Sequence, residues 1–483
     1  MALSEVDAAA TALGRAVTPM LAEHPGKTGI HPLLDAHEAF AARMLLATAA
    51  ERTLDVQYYI WRGDMTGTLL FEALHAAAGR GVRVRLLLDD NNTSGLDDTL
   101  AALDSHPNIE VRLFNPFRIR KPRVLGYLAD FSRMNRRMHN KSFTADNRAT
   151  IIGGRNVGDE YFGVSKGTLF ADLDVMAVGP VVGEVSADFD RYWTSASARP
   201  ADRVLAPADS RRLEALASAA SLIEGRPAAR AYMNALRRSG FVQDLLRCNL
   251  DLEWAATRMV SDDPGKGLGR AAPEKFLTRQ LAEIIGEPAA SLDLISPYFV
   301  LRDAVVRAFT SWAARGVKIR VLTNSLEATD VALVHAGYAK KRKRLLRAGV
   351  TLYEMQRLSP YFVKIRRPGR MGGSGASLHA KTFSVDRSRA FIGSFNFDPR
   401  SAALNTELGF IIESPSLARR VDAVFNEVIP DNAYEVRLSD AGKLYWLERR
   451  SGEEIRHDTE PGTGFGKRAA VAVLSALPIE WLL

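Results

Sequence analysis

Cysteine is almost absent from this 483-residue sequence, and long hydrophobic runs are missing. The single cysteine, Cys248, excludes an internal disulfide framework and a zinc site built on several thiolates. No stretch of about 18 consecutive apolar residues occurs. The first residues, MALSEVDAAATALGRAV, do not place a basic segment before an apolar one, as a secretion signal does. The sequence therefore predicts a protein that is soluble or attached to a membrane surface rather than spanning it.

Positive charge is in excess. The 64 Lys and Arg residues outnumber the 56 Asp and Glu residues, which gives a formal net charge of +8. This balance favours an anionic partner, and nucleic acid, an anionic membrane or a phosphorylated small substrate would each fit. The length and the 47% hydrophobic content are ordinary for a globular protein of two or three domains.

An internal repeat, with an offset of roughly 240 residues, organises the chain. The strand-like segments TLDVQYYIW (53–61) and SLDLISPYFV (291–300) correspond. Each is followed by a helical pattern that ends at a glycine, Gly81 or Gly316, before a second strand. Strand, helix and strand in this order predict a parallel crossover, and a third strand follows in each half. We therefore predict an α/β fold of two pseudo-repeated α/β/α sandwich domains.

The repeat divides the chain into five predicted segments. They are an N-terminal helical segment (1–30), a first repeat (31–200), a helical connector (201–285), a second repeat (286–430) and a C-terminal hairpin with an apolar interfacial segment (431–483). The connector is inferred from helical patterning rich in Ala, Arg and Leu. The hairpin is inferred from YEVRL and KLYWLER, which flank a turn-forming stretch.

Two copies of a His-x-Lys-x4-Asp motif occur at matching places in the two repeats. The first consists of His139, Lys141 and Asp146 and is followed by GGRN; the second consists of His379, Lys381 and Asp386 and is followed by GSFN. Residues i and i+2 of a strand project to the same face, so each His and its Lys can point at one ligand. Equal spacing in both copies argues against chance and for function.

The residue types of the two motifs match the needs of phosphodiester chemistry. Such a reaction requires an attacking group, a proton donor for the departing alkoxide, and cations that offset charge on the non-bridging oxygens. Two imidazoles and two ammonium groups supply all three without a metal. We therefore expect the two domains to share one active site at their interface.

Other polar residues near the motifs are candidates for the same site. Those predicted to bind the phosphate are Asn156, Asn396 and Ser394, which follow or belong to small-residue segments that allow close backbone approach. Asp146 and Asp386 are counted with the catalytic motifs, but we interpret them as residues that cap or orient a turn.

Two further carboxylates recur at corresponding places in the repeat. They are Asp172, in ADLDVM, and Glu407, in NTELGF. An imidazole nucleophile works best when a carboxylate holds its other nitrogen, because the carboxylate selects the tautomer and supports the cation formed on attack. We predict each carboxylate to be the partner of the His in its own half, Asp172 for His139 and Glu407 for His379.

These residues resemble the phospholipase D superfamily, whose signature is the paired HxKx4D motif. The resemblance is closest to the bacterial cardiolipin synthases of the soluble or peripheral type. It covers most of the chain and includes LLLDDNNT (86–93), RMNRRMHNKSFTADN (133–147), GGRNVGDEYF (153–162), VLTNSLEATDVALVHAGYAK (321–340) and GSFNFDPRSAALNTELG (393–409).

The resemblance implies two domains of phospholipase D type and a two-step reaction without a cofactor. One His attacks phosphorus and one alcohol leaves; a second alcohol then displaces the phosphatidyl-histidine intermediate. By analogy, His139 would be the nucleophile, and His379 would be the acid and later the base. The donor would be phosphatidylglycerol or another phospholipid such as phosphatidylethanolamine, and the acceptor a phosphatidylglycerol.

The resemblance also implies a location and partners. It places the protein on the bacterial inner membrane, at the cytoplasmic face, with anionic phospholipid as its partner and no nucleic acid. An accessory protein is a further partner that the resemblance allows.

Three segments that mix basic and apolar residues are candidates for membrane contact. FRIRKPRVLGYLADFSRMNRR (117–137) and SPYFVKIRRPGRMGGSGAS (359–377) precede the two motifs. GFGKRAAVAVLSALPIEWLL (464–483) carries Lys467, Arg468 and Trp481 around an apolar run. The alternatives are a solvated basic face for the first two segments and packing on the core for the third.

Other functions fit the same motifs less well. A phospholipase D would use water as the acceptor, and the choice between transfer and hydrolysis depends on how well the pocket excludes water. A nuclease of the same superfamily would use a basic groove with aromatic residues for stacking, whereas the basic segments here alternate with aliphatic residues. A non-catalytic lipid-binding scaffold is disfavoured because both motifs are intact.

Overall fold

The computed structural model describes residues 2–164, 169–207, 211–237, 240, 243–244, 249–357, 376–450 and 452–476. Its helices are α1 (Glu5–Ala9), α2 (Ala12–Glu23), α3 (Ala36–Ala49), α4 (Met65–Gly79), α5 (Asp97–Asp104), α6 (Arg123–Ala129), α7 (Phe131–Met134), α8 (Pro180–Trp193), α9 (Arg211–Glu224), α10 (Pro227–Arg237), α11 (Leu277–Ile285), α12 (Asp303–Ala314), α13 (Ala332–Arg347), α14 (Pro399–Ala403), α15 (Pro415–Ala423) and α16 (Phe465–Ala476). Among the described residues, no helix is long and apolar enough to cross a bilayer.

The internal repeat is seen mainly in the strands of the described residues. They are β1 (Thr28–Leu33), β2 (Thr53–Tyr58), β3 (Arg83–Asp89), β4 (Ile109–Phe114), β5 (Ser142–Ala145), β6 (Ala149–Gly153), β7 (Leu169–Ala171), β8 (Asp174–Val178), β9 (Ala198–Pro200), β10 (Glu253–Ser261), β11 (Ser291–Ile295), β12 (Lys318–Asn324), β13 (Thr351–Met355), β14 (Ala376–Leu378), β15 (Thr382–Val385), β16 (Arg389–Gly393), β17 (Leu408–Glu413), β18 (Ala433–Leu438), β19 (Leu444–Arg450) and β20 (Glu453–His457).

The chain forms two compact units, and neither is one continuous stretch of sequence. Unit 1 consists of Met1–Val164, Leu173–Leu277 and Leu404–Phe410. Unit 2 consists of Ser165–Asp172, Thr278–Ala403 and Ile411–Leu483. Each unit therefore contains a short segment whose flanking sequence belongs to the other unit.

Unit 1 is built on a mixed sheet with the strand order β10-β1-β8-β6-β5-β2-β3-β4-β9. The strands β2, β3 and β4 are parallel and the other pairs are antiparallel. Helix α4 connects β2 to β3 and ends before Gly81, whose φ of +94° lies in the left-handed region that glycine adopts without strain. The predicted crossover is confirmed.

Unit 2 repeats this arrangement with the order β16-β15-β11-β12-β13-β18-β19-β20. Its central strands β11, β12 and β13 are parallel, as β2, β3 and β4 are in unit 1. The hairpin predicted after residue 430 is formed by β18 and β19, in which Leu438 pairs with Leu444. The repeat found in the sequence is therefore a repeat of strand order.

Helices cover the sheet of unit 1 on its two faces. Val84, Leu86 and Leu88 of β3 join the large apolar cluster that includes Phe40 of α3 and residues of α4. Leu87, which points to the opposite face because side chains alternate along a strand, packs with Phe189 and other residues of α8. The unit is thus the α/β/α sandwich that the pattern predicted.

The predicted helical connector is helical only in part. Residues Glu253–Ser261 form β10, which pairs antiparallel with β1 through Thr28↔Ala255 and Gly29↔Trp254. Its sequence, EWAATRMVS, does not alternate apolar and polar residues, so the local pattern does not mark it as a half-buried strand. Pairing with an available strand, rather than local propensity, decides its conformation.

The C-terminal segment packs on the core where it is described. Val471 of α16 lies in a buried cluster with Val334 and Ala336 of α13, and Lys467 Nζ donates to the carbonyl of Leu326 at 2.6 Å. The membrane-contact prediction for Trp481 lies outside the described residues, as does nearly all of the predicted segment 359–377.

A buried ion pair joins the first two parallel strands of each repeat. In unit 1, Arg85 of β3 donates to both carboxylate oxygens of Asp55 in β2, at 2.7 and 2.8 Å. In unit 2, Arg320 of β12 does the same to Asp293 of β11, at 2.6 and 2.8 Å. All four side chains are almost completely buried, and each arginine also pairs with a second aspartate, Asp190 or Asp422, so these buried charges are compensated within small clusters.

Candidate active site

Both HxKx4D motifs begin in an extended segment just before a strand. His139 and Lys141 precede β5, and His379 and Lys381 precede β15. This differs slightly from the prediction, which placed them on the strand itself. Both lysines are only 1% exposed, so each ammonium group lies in a largely desolvated environment.

A polar residue at the carboxyl end of a parallel strand holds the residue before each motif His. Asp89, the last residue of β3, accepts the backbone N–H of Met138 at 2.8 Å. Asn324, the last residue of β12, accepts the N–H of Leu378 at 2.9 Å and donates to its carbonyl at 3.0 Å. Burial raises the pKa of Asp89, although the nearby Arg137 guanidinium and the Met138 amide oppose this rise.

Each motif His is paired with a buried carboxylate, but the pairing is opposite to the prediction. In unit 1, His139 Nδ1 lies 2.8 Å from Glu407 Oε2. In unit 2, His379 Nδ1 lies 2.5 Å from Asp172 Oδ2. The prediction that each carboxylate serves the His of its own half of the sequence is therefore wrong.

Backbone pairing explains the exchange of carboxylates in unit 1. The amide of His139 donates to the carbonyl of Thr406 at 2.9 Å, and the amide of Thr406 donates to the carbonyl of Arg137 at 2.9 Å. These bonds place residue 407 directly beside the motif. The position of Glu407 in space is thus set by strand-like pairing and not by distance along the chain.

The same kind of pairing operates in unit 2. Strands β7 and β14 are parallel, with Ala171 opposite Leu378. The carbonyl of Ala171 accepts the amides of His379 at 2.8 Å and of Ala380 at 3.0 Å. Asp172 follows immediately and therefore reaches the His379 ring.

The two His–carboxylate contacts indicate which ring nitrogen of each histidine would take part in a reaction. A carboxylate at Nδ1 favours the tautomer that carries its proton there and stabilises an imidazolium. Nε2 is then the nitrogen suited to attack or to proton transfer in both His139 and His379. The geometry is what a nucleophile and a general acid or base require.

The motif lysines lie beside the histidines. Lys141 Nζ donates to the carbonyl of His139 at 2.5 Å. Lys381 Nζ donates to the carbonyl of His379 and lies 3.1 Å from its Nδ1. Each unit therefore places an imidazole and an ammonium group together, which is a combination suited to an anionic reacting group.

The motif aspartates tie two parts of the sheet together. Asp146 accepts the backbone amides of Glu51, Arg52 and Thr53 at 2.8 to 2.9 Å, which anchors the start of β2. Asp386 accepts those of Ala289, Ala290 and Ser291 at 2.7 to 3.1 Å. Both lie at the far end of the motif strand from the lysine and have φ near +50° (+49° and +52°), a conformation that Asp adopts more readily than most residues. Their contacts support the turn role and not a role in bond making.

The predicted phosphate-binding residues differ in their surroundings. Asn156 accepts the amide of Ile60 at 3.1 Å and donates to the Tyr161 hydroxyl at 3.1 Å, so its amide group is engaged in holding the segment that follows β2. Asn396 is 4% exposed, and its Oδ1 has no hydrogen-bond partner within the described residues. Ser394 is completely buried. Of the two amides, Asn396 is the better candidate for a ligand contact.

An aromatic ring lies beside each motif histidine, and no sequence motif marks either ring. The Tyr59 ring lies edge-on to His139 with 5.0 Å between centroids, and Lys141 Nζ is 5.5 Å from the same ring. Phe170 lies 5.0 Å from His379. Tyr59 falls just beyond β2, so the periodicity of the strand does not mark it. The doubled tyrosine in YYIW was its only signal in the sequence.

A buried acid that the sequence did not reveal supports Glu407. Asp262 Oδ2 accepts the Glu407 amide at 2.9 Å and the Lys266 ammonium at 2.9 Å, and its Oδ1 accepts the Leu277 amide at 2.8 Å. Burial raises the pKa of Asp262 to about 6, although Lys266 and the Leu277 amide oppose the rise and the Glu407 carboxylate adds to it. No motif marks Asp262, since its role arises only when distant segments meet.

The duplicated fold, with an imidazole, an ammonium group and a carboxylate in each unit, defines a phospholipase D-like protein. A family model described as "Cardiolipin synthase, PLD-like domain" matches residues 45–193 and 281–429. The two matches fall on the two repeats and cover more than half of the chain. The chain therefore belongs to this family, and it is an enzyme of the phosphatidyltransferase or phospholipase D type.

Similar proteins include several curated cardiolipin synthases. Cardiolipin synthase C of Escherichia coli (strain K12) is 53% identical over 471 residues, which cover 98% of this chain and 99% of that protein. Cardiolipin synthase A of Pseudomonas entomophila (strain L48) is 25% identical, over 86% of this chain and 71% of that protein. The crystal structure of phosphatidylserine synthase from Haemophilus influenzae Rd KW20 aligns with a TM-score of 0.61 at 13% identity, covering 97% of this chain and 98% of that one. The last similarity supports the fold alone.

Proposed function

We propose that this protein is a cardiolipin synthase-type phosphatidyltransferase that works through a phosphatidyl-histidine intermediate. The observation that carries the proposal is the pair of His–carboxylate contacts, one in each unit, each beside a buried lysine. Similarity to cardiolipin synthase C over 98% of the chain supports phospholipids as the substrates. Such substrates would place the protein at the surface of the bacterial inner membrane, on its cytoplasmic face.

In the first step, Nε2 of one histidine attacks the phosphorus of a phospholipid donor. The bond from phosphorus to the head-group oxygen breaks, and the departing alkoxide takes a proton from the second imidazolium. By analogy with the family, we assign the attack to His139 and the proton donation to His379. Glu407 and Asp172 stabilise the positive charge that each ring carries in turn.

In the second step, His379 acts as the base. It removes the proton from a glycerol hydroxyl of phosphatidylglycerol, whose oxygen attacks phosphorus as the bond to His139 Nε2 breaks. Cardiolipin is released and both rings return to their starting protonation states. Lys141 and Lys381 offset the charge on the non-bridging oxygens during both steps, and Asn396 contributes an amide contact.

Lipid mass spectrometry after incubation with phosphatidylglycerol vesicles, with and without phosphatidylethanolamine, tests this function. We expect cardiolipin as the product, and its dependence on each lipid identifies the donor head group. Phosphatidic acid as the sole product would show hydrolysis instead. Absence of any lipid turnover would contradict the proposal and direct the assay to nucleic acid.

Histidine variants test the assignment of the two steps. We expect His139→Ala and His379→Ala each to abolish turnover, whereas His106→Ala, which changes a histidine outside the motifs, should retain it. With His379→Ala, intact-protein mass spectrometry should detect an added phosphatidyl group if His139 is the nucleophile. An adduct on the His139→Ala protein would reverse the assignment, and wild-type turnover by either motif variant would refute it.

A further inference from the structure

An apolar surface is exposed on unit 1 in the segment that leads to the first motif. Its members, which we call the α6–α7 patch, are Ile119, Val124, Leu125, Leu128 and Phe131, exposed by 39, 61, 47, 76 and 49%. Val124, Leu125 and Leu128 are at positions i, i+1 and i+4 of α6, so they share one helix face. Such clusters of exposed large apolar side chains mark interaction sites rather than ordinary surface.

The patch is held in place by polar contacts on its inner side. Arg120 pairs with Asp90 and Asp97 at 2.6 Å each, and the Tyr127 hydroxyl donates to the Asn91 side chain at 2.6 Å. Gly126 permits close packing, since a Cβ there would lie 2.6 Å from the carbonyl oxygen of Ile119. The apolar residues therefore face outward because the opposite side of the segment is fastened to the domain.

Charge around the patch identifies the kind of partner. Residues 117–136 contain six Arg or Lys side chains, of which Arg120, Arg123 and Arg133 form ion pairs with Asp90, Asp97 or Asp130. Arg118 and Lys121 are exposed beside the apolar side chains. Aliphatic side chains bordered by exposed cations fit an anionic lipid surface, where the apolar groups enter the acyl boundary and the cations meet phosphate. Nucleic acid would call for aromatic stacking, and only Phe131 of the five is aromatic.

The patch and the first motif share one anchor. Asp89 holds Met138 next to His139; of the residues that follow, Asp90 accepts from Arg120, just before α6, and Asn91 accepts from Tyr127 of α6. We propose that the α6–α7 patch docks the protein on an anionic phospholipid bilayer and so orients unit 1 on its substrate surface. This inference rests on the proposed function, because docking orients the site only if the substrate is a membrane lipid. Vesicle binding, however, is measured separately from turnover.

Vesicle binding of a polar variant is the first test. Val124→Gln/Leu128→Gln/Phe131→Gln should bind phosphatidylglycerol vesicles at least about 100-fold more weakly than the wild type in sedimentation, since each buried apolar side chain contributes strongly to partitioning. Leu222→Gln, which changes a similarly exposed leucine (71%) on α9, is the matched control and should bind normally. Equal binding of the triple variant and the wild type would overturn the proposal. The proposal would also be overturned if the three substitutions abolished self-association of the protein without lipid and left vesicle binding unchanged.

An environment-sensitive label gives a second readout that does not depend on the folding of the triple variant. In a Cys248→Ser background, a fluorophore on Leu128→Cys should shift to the blue with phosphatidylglycerol vesicles and much less with phosphatidylcholine vesicles. The same label on Leu222→Cys should not respond. No shift at residue 128, or equal shifts with both lipids, would refute docking on an anionic bilayer. Turnover of dispersed short-chain phosphatidylglycerol by the wild type reports the proposed function alone, so failure of one proposal is distinguishable from failure of the other.

Discussion

The proposed reaction depends on the buried carboxylate of Glu407, which contacts the His139 imidazole. Glu407 is completely buried, and its Oε2 faces the imidazole at 2.8 Å. Glu407→Gln keeps the shape but removes the charge that stabilises an imidazolium. We expect kcat to fall by roughly 10²- to 10⁴-fold, as for carboxylate loss in His-based catalysis. Glu413→Gln, at the exposed end of β17, is the control. A loss below about tenfold would contradict the role, since one hydrogen-bonded charge should contribute more.

Asp262 should give the folded protein a recognisable pH dependence. Because burial raises its pKa from 3.8 to about 6, the folded state binds a proton more tightly than the unfolded chain. The free energy of unfolding should therefore decrease as pH rises from about 4 to about 6, by roughly 3 kcal/mol for this group. Urea unfolding across this range should show that slope in the wild type, and Asp262→Asn should lack it. An unchanged slope in the variant would exclude Asp262 as its source.

The site residues differ in how far the sequence reveals them. His139, Lys141 and their counterparts are evident because a duplicated motif with equal spacing is hard to produce by chance. Asp172 and Glu407 were found as equivalent residues, but their pairing was assigned the wrong way round. Position in a repeat identifies equivalence, whereas contact depends on which backbone segments pair. Asp262 had no pattern at all, because its function depends on a distant amide.

The turn that follows each motif strand contains a motif aspartate, and the two turns should contribute different amounts to the free energy of unfolding. Asp146 and Asp386 each accept three backbone amides, but Asp146 is completely buried, whereas Asp386 is partly exposed. Water therefore replaces the lost acceptor more easily at the partly exposed position of Asp386 than at the buried position of Asp146. We expect Asp146→Ala to lower the free energy of unfolding by about 3 kcal/mol or more, and Asp386→Ala by at least about 1 kcal/mol less. Equal losses in urea unfolding would contradict this reasoning.

Helix α6 provides a test of packing at a single glycine. A Cβ on Gly126 would lie 2.6 Å from the Ile119 carbonyl and 2.8 Å from the Phe117 ring. We expect Gly126→Ala to reduce the local opening free energy of α6 by about 1 to 3 kcal/mol, visible as faster hydrogen exchange in residues 117–129. Gly183→Ala in α8, where a Cβ has open space, should not accelerate exchange. Unchanged exchange in α6 would show that the neighbouring backbone adapts.

The strands and helices of the repeat were largely predictable, since buried parallel strands and glycine-ended helices have strong local patterns. Strand β10 was not, because its sequence, EWAATRMVS, does not alternate apolar and polar residues as a half-buried strand does. Its partner β1 lies more than 200 residues away in the sequence. Local pattern therefore describes the repeated cores better than the edges that complete them.

The whole chain is organised by an exchange of short segments. Unit 1 includes Leu404–Phe410, and unit 2 includes Ser165–Asp172. Each segment carries the carboxylate that its unit's motif histidine contacts. A single-domain fragment cut between the repeats would keep its HxKx4D motif but lose that carboxylate. It would also lose the backbone pairing that holds the motif strand.

Separate expression of residues 1–277 and 278–483 tests this interdependence. The first fragment lacks Thr406 and Glu407, so the Asp262 side chain loses a buried donor; the second lacks β7, so β14 loses its partner. We expect neither fragment alone to unfold cooperatively near the wild-type temperature or to show turnover, whereas co-expression should restore both. Co-expression with a second fragment that carries Glu407→Gln should restore cooperative unfolding without turnover. If residues 1–277 alone were as stable and active as the full chain, the segment Leu404–Phe410 would be dispensable, and the His139–Glu407 contact could not be what makes the first motif competent.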